Sequence, residues 1–184
     1  MAECDVRLMS PEDLEAAAAL TRAAFGAFLG NPQAVAMPAL TWQTRLASDP
    51  EGCFVAQDRD GRLIGSLVSV ARGTLAWFGP LAVDPAAQRG GVARQLVSAC
   101  LDAWRARGVR LMGLETFAHS AFHVHFYGSM GFRPAWTGVA WSRELDRTAL
   151  PAGVGLDGAL PDLGFLYPGL EIGREAGATP PPST

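Results

Sequence analysis

Read for its alternation of apolar and polar positions, the chain opens with a short strand, Asp5-Val-Arg-Leu-Met9. Ser10-Pro-Glu-Asp follows and offers an N-cap, a proline at the first helical position and acids in the first turn, so a helix is predicted from Pro11 to about Phe25. Glycine and prolines break the pattern between Gly26 and Pro38, and a second helix is predicted from Met37 or Ala39 to Ala47. Gly52–Asp58 and Arg62–Ala71 read as two strands joined by Asp58-Arg-Asp-Gly61, where Asp-Gly tolerates the positive φ of a tight hairpin. A third strand is predicted over Thr74–Val83. It contains Gly79-Pro80, and proline has no N–H for a ladder, so pairing on one side must lapse there. From Val92 to Arg107 the apolar residues Val92, Leu96, Val97, Cys100, Ala103 and Trp104 form one stripe of an amphipathic helix. Gly108 stops it, an apolar strand is predicted over Val109–Thr116, and a short helix follows from Ser120. Arg133–Leu145 leaves room for one long strand, or two short ones around Thr137-Gly138.

At 184 residues, 49% of them apolar, the chain fits one domain with a sizeable core. A net charge of −3 provides no basic field, which argues against nucleic acid and acidic membranes as partners. Small molecules or peptides fit better. No apolar run is long enough to span a bilayer and the first residues do not resemble a signal peptide, so the protein is expected in the cytoplasm. The cysteines Cys4, Cys53 and Cys100 are scattered without CxxC spacing. All 15 basic residues are arginine, which with the abundant alanine suggests a GC-rich coding genome.

The candidate chemistry centres on Leu81-Ala-Val-Asp-Pro-Ala-Ala-Gln-Arg-Gly-Gly-Val-Ala-Arg94, a strand end, a glycine loop and a helix start. Gly90 and Gly91 have no Cβ, so their N–H groups can approach a ligand and take left-handed conformations where the first unpaired amides of a helix point outward. That is an anion cradle suited to phosphate. The Lys-Ser/Thr pair of a P-loop is missing, as is the three-glycine spacing of a dinucleotide fingerprint. Gln88-x-x-Gly91-x-Ala93 instead resembles the Gln/Arg-x-x-Gly-x-Gly/Ala loop with which GNAT-family N-acetyltransferases hold the pyrophosphate of coenzyme A. Ser120-Ala-Phe-His-Val-His-Phe-Tyr-Gly-Ser-Met-Gly-Phe132 is similar to a second segment of that family, Asn-x-x-Ala-x-x-x-Tyr-x-x-x-Gly-Phe.

The resemblance covers roughly Met1 to Leu145. It implies a mixed, mostly antiparallel α/β sheet flanked by helices, with a central parallel strand pair that splays, in a domain of residues 1–147. It implies acetyl-CoA as co-substrate, without a metal. Its pantetheine arm would lie along Leu81, Ala82 and Val83, and its pyrophosphate against Gln88, Arg89, Gly90, Gly91, Val92, Ala93 and Arg94. Arg89 or Arg94 pairs with a phosphate, or is simply solvated. Tyr127 matches the family tyrosine that protonates the departing thiolate, and its ordinary pKa near 10 keeps a proton available. A core aromatic is the alternative. The sequence departs from the family at Ser120, where asparagine commonly bonds the pantetheine, and at His123, where a small alanine is usual. Serine still donates or accepts, with shorter reach. His123 contacts cofactor, orients Tyr127 or packs against the sheet. Deprotonating an ammonium needs a base, for which Glu115 and His119 are candidates. His119, His123 and His125 do not share one helix face, which argues against a metal site.

The reaction implied is transfer of an acetyl group to a primary amine, on a small molecule or a peptide, by direct attack in a ternary complex. A coenzyme A-binding regulatory module whose catalysis has lapsed is the alternative. Residues 148–184 form a Gly/Pro-rich extension whose last ten or so residues read as disordered. Phe165, Leu166, Tyr167 and Leu170 are too apolar for a free tail. Their docking is expected on the domain itself or on a partner subunit, which would make a homodimer.

Overall fold

The computed structural model describes residues 4–31 and 39–135. Strand β1 (Asp5–Leu8) leads through a 3-10 turn at Pro11–Asp13 into α1 (Leu14–Leu29), and α2 (Ala39–Ser48) follows. Three strands come next, β2 (Phe54–Gln57), β3 (Leu63–Arg72) and β4 (Leu75–Val83), then α3 (Val92–Ala106), β5 (Leu111–Leu114) and α4 (Ala121–Ser129). The strands form one sheet in the order β1-β2-β3-β4-β5. Neighbours are antiparallel except for the parallel pair β4 and β5.

The sheet is packed on both faces. The stripe of α3 buries Val92, Leu96, Val97, Cys100 and Trp104 in one cluster with Phe54, Ala56, Leu67 and Phe78. Val55 and Val68, also fully buried, have the opposite side-chain parity along their strands. Their face of the sheet receives α1, which packs on β3 and β4, and α2, which packs on β3. Ala17, Ala18, Thr21 and Ala24 let α1 approach closely, and Trp42 of α2 is fully buried. A buried ion pair closes one edge of the core. Asp49, 3% exposed, accepts from both terminal nitrogens of Arg107 at 2.8 and 3.1 Å and from the Ala71 N–H at 2.7 Å.

Two elements differ from the sequence reading. Helix α1 passes through Gly26 to Leu29 rather than ending at Phe25, because Gly26 is buried on the packed face and termination falls to Gly30, at φ 67°. Strand β5 is shorter than Val109–Thr116: the Val109 N–H is taken by the Trp104 carbonyl, and the ladder with β4 holds only four residue pairs. Among the described residues β5 ends the sheet, and Arg133–Ala135 carry no strand. The remainder of the predicted 133–145 strand region, the domain boundary at 147/148 and the C-terminal extension lie outside the described residues.

Candidate active site

The site begins where two strands part. Leu75–Phe78 of β4 pair with Leu111–Leu114 of β5, and the pairing stops at Phe78. Gly79-Pro80 follows, and beyond it Leu81, Ala82 and Val83 pair with Leu67, Ser66 and Gly65 of β3. Among the described strands they have no partner on the β5 side, so a length of β4 backbone is left open to a ligand.

The loop after Val83 is held on three sides. The Asp84 N–H donates to the Ile64 carbonyl at 2.9 Å, Asp84 Oδ1 accepts from the Ala86 N–H at 2.9 Å, and Asp84 Oδ2 accepts from Arg62 Nη1 at 2.8 Å. Gln88 Nε2 donates to the Val83 carbonyl at 3.3 Å, so this side chain braces the loop. Gly91 takes φ 91° as the N-cap of α3, and no side chain caps that helix, which leaves the amides of its first turn, at Val92, Ala93 and Arg94, unclaimed by a cap. An uncapped helix start behind a left-handed glycine suits a pyrophosphate. Of the two glycines free to be left-handed, only Gly91 is. The second left-handed residue is Arg89, at φ 65°, a conformation that costs a residue with a Cβ about 1–3 kcal/mol. Behind the loop α3 sits very close to the sheet: a Cβ on Gly65 would lie 2.8 Å from Leu96 Cδ1 and 2.9 Å from Val92 Cγ1.

Helix α4 lies against α3. Arg94 Nη2 donates to Ser129 Oγ at 2.8 Å, its Nη1 lies 2.9 Å from Met130 Sδ, and its guanidinium stands 5.9 Å from the Phe126 ring centre. Arg94 is thus engaged in holding α4. Ser120 is the N-cap of α4, its Oγ accepting from the His123 N–H at 3.4 Å, so its hydroxyl serves the helix start. Tyr127 packs among aromatic rings, with Phe126 at 5.0 Å, Phe78 at 6.0 Å and Phe132 at 6.2 Å between centres. Burial pushes its phenol well above the ordinary tyrosine range.

His123, one turn earlier on α4, meets the ring of Phe28 of α1 edge-on at 4.9 Å and lies 6.4 Å from Phe117. Its Nδ1 is buried without a hydrogen-bond partner in the described structure. Burial, and secondarily the neighbouring His119, lowers its pKa. Glu115 stands just past the end of β5, half-buried, with Oε2 buried and unpartnered, and burial raises its pKa. His119 is exposed, its ring 5.7 Å from Phe117. Among the described residues, no group of three or more His, Cys, Asp or Glu is set to hold a metal ion. No described helix is long and apolar enough to cross a membrane.

The family model for the acetyltransferase (GNAT) family matches residues 17–132. The chain belongs to that family. Solved structures agree in fold. The ribosomal-protein-S18-alanine N-acetyltransferase from Escherichia coli matches with a TM-score of 0.64 at 23% identity, covering 76% of this chain and 83% of its own. Ard1 from Thermoplasma volcanium follows at TM-score 0.62 and 23% identity, covering 74% and 86%. An aminoglycoside acetyltransferase from an uncultured soil metagenomic sample, solved with sisomicin, gives 0.61 and 20%, covering 78% and 97%. No curated protein matches the chain. The acetyltransferase fold thus coincides with the open β4 edge and the uncapped α3. Sequence reasoning missed the rings that α1 brings to His123, because Phe28 falls in the stretch read as broken. Its signal was the spacing of Phe25 and Phe28 across Gly26.

Proposed function

We propose that this GNAT acetyltransferase moves the acetyl group of acetyl-CoA onto a primary amine by direct attack in a ternary complex. The observation that carries the reading is the parting of β4 from β5 at Gly79, which leaves Leu81–Val83 without a described strand partner on the β5 side, ahead of the uncapped start of α3. Leu81, Ala82 and Val83 would take the pantetheine arm along their free backbone, and the amides of Gly90, Gly91, Val92 and Ala93 the pyrophosphate. Arg89, at the left-handed position of the loop, would meet a phosphate. Acetyl-CoA supplies an activated acetyl group, whose carbon forms a bond to the amine nitrogen as the bond to sulfur breaks.

Two protons must move as that happens. Glu115 is the base the reading favours: its unpartnered oxygen and raised pKa fit a carboxyl that accepts a proton from an ammonium, directly or through water. His119, exposed and farther along the connection, is the weaker candidate. Tyr127, kept protonated by burial, would deliver a proton to the leaving thiolate. Ser120 and His123 act in this reading through α4, by fixing its first turn one turn ahead of Tyr127.

The test is calorimetric titration of acetyl-CoA, followed by thiol release over a panel of amines for the parent and Tyr127→Phe. The variant is expected to bind acetyl-CoA as the parent does and to lose about 100-fold or more in kcat. Binding of acetyl-CoA without turnover on any amine would favour a coenzyme A-binding module, and no binding would overturn both.

A further inference from the structure

We propose that Phe122 and Phe126 of α4 form the platform on which the adenine base of coenzyme A stacks; this deepens the acetyl-transfer reading above and rests on it. The geometry starts at Arg94. Its backbone amide belongs to the first turn of α3, the turn proposed to hold the pyrophosphate, and its side chain runs from that turn to α4. There Nη2 donates to Ser129 Oγ at 2.8 Å, and the guanidinium stands 5.9 Å from the Phe126 ring centre. Phe122 and Phe126, one turn apart on the same face of α4, stack with their centres 6.5 Å apart and their planes at 12°. One arginine side chain therefore joins the first turn of α3 to a pair of nearly parallel rings.

The two rings serve the fold unequally. Phe126 is partly buried against the core cluster. Phe122 remains 68% exposed, although His123 meets it edge-on at 5.4 Å and Phe126 holds it from the next turn. A lone exposed phenyl needs no explanation, but one held in position beside a guanidinium is a preformed stacking surface. A purine gains from covering such a ring and from the neighbouring cation. In coenzyme A one ribose separates the adenine from the pyrophosphate, a span comparable to the arginine side chain that links α3 to the rings. The same ribose carries the 3′-phosphate, whose charge the fixed guanidinium favours. The pantetheine arm is assigned to Leu81–Val83, which leaves the rings to the nucleotide end.

The test titrates acetyl-CoA and S-acetyl-4′-phosphopantetheine, which lacks the adenosine, into the full chain and into Phe122→Ala and Phe122→Trp by calorimetry. Phe122→Ala is expected to weaken acetyl-CoA by about 10-fold or more and the truncated donor by less than about 2-fold, while Phe122→Trp keeps or tightens acetyl-CoA. A second readout reports proximity. In Phe122→Trp, desulfo-CoA should quench the emission of the added indole and 4′-phosphopantetheine should not, with the parent and its five tryptophans titrated alongside. Unchanged acetyl-CoA affinity in Phe122→Ala would overturn the proposal, as would an equal loss for both donors or an indole that desulfo-CoA leaves unquenched. Each of those results would leave acetyl transfer standing. The expected losses in a protein that binds acetyl-CoA but acetylates no amine would uphold the platform and overturn the transfer reading, and a parent that binds neither donor would overturn both.

Discussion

Glu115 and Tyr127 are moved in the same direction by the same cause, loss of water, and the proposed chemistry uses the two shifts oppositely. A tyrosine pushed upward keeps its proton at neutral pH, so the phenol is present as a donor to the departing sulfur although the same shift makes it a weaker acid. A carboxyl pushed upward becomes a better base for an ammonium once it is ionised. Ionised, however, it works against the fold: a group whose folded pKa is raised stabilises the protein below its unfolded pKa and loses that stabilisation as pH rises through the folded value. Glu115→Gln is therefore expected to raise the melting temperature at pH 7 while removing the acid limb of kcat/KM, which in the parent should lie above pH 4.5, the ordinary glutamate value. A differential scan and a pH–rate profile check both halves, and an unchanged acid limb would assign the base elsewhere.

At the scale of elements, the site depends on how closely α3 is set against β3. Gly65→Ala would force a methyl into Leu96 and Val92, whose atoms lie 2.8 and 2.9 Å from the new Cβ, and so displace the first turn of α3. The expected cost is about 1–3 kcal/mol of stability, with weaker acetyl-CoA binding if, as proposed, the same turn carries the phosphate amides. Denaturant unfolding and calorimetry measure the two. A second element-level device sits at the start of α1. Asp13 accepts from Arg7 at 2.7 and 2.8 Å and from the Ser10 N–H at 2.8 Å, and the Arg7 pairing, ahead of the Ser10 bonds, draws its pKa from 3.8 down to about 2. With the folded pKa depressed, this stabilisation is present above pH 3.8 and is lost as pH falls through about 2. Its magnitude is about 2 kcal/mol, so acid unfolding of Asp13→Asn should be correspondingly flatter across that window.

For the molecule as a whole, the elements proposed to hold acetyl-CoA and the core share one sheet. The open edge of β4, the loop from Asp84 to Gly91 and α3 all rest on strands packed on both faces. Acetyl-CoA at a hundred times its dissociation constant should therefore stabilise the folded protein by about 2.7 kcal/mol, read as a rise of several degrees in melting temperature. Desulfo-CoA, with the same phosphates, should give most of that rise if the loop and α3 carry the affinity. A shift with the acetyl donor but none with desulfo-CoA would place the affinity on the thioester end instead.

Local chemistry made much of this architecture readable from the chain. Proline at residue 80 has no N–H, so a lapse in the β4 ladder was determined by that residue alone, as was the Asp58–Gly61 hairpin by its Asp-Gly step. The stripe from Val92 to Trp104 specified α3 and its buried face because a 3.6-residue period leaves few alternatives. Tertiary packing decided the rest. Burial of Gly26 overrode its low helix propensity and carried α1 on to Phe28. The geometry of the loop placed Arg89 rather than Gly90 in the left-handed region, and the approach of α4 to α3 engaged Arg94 with Ser129. The unclaimed oxygen of Glu115 and the buried Nδ1 of His123 likewise have no sequence signature, since burial is a property of neighbours that the chain brings together only when it folds.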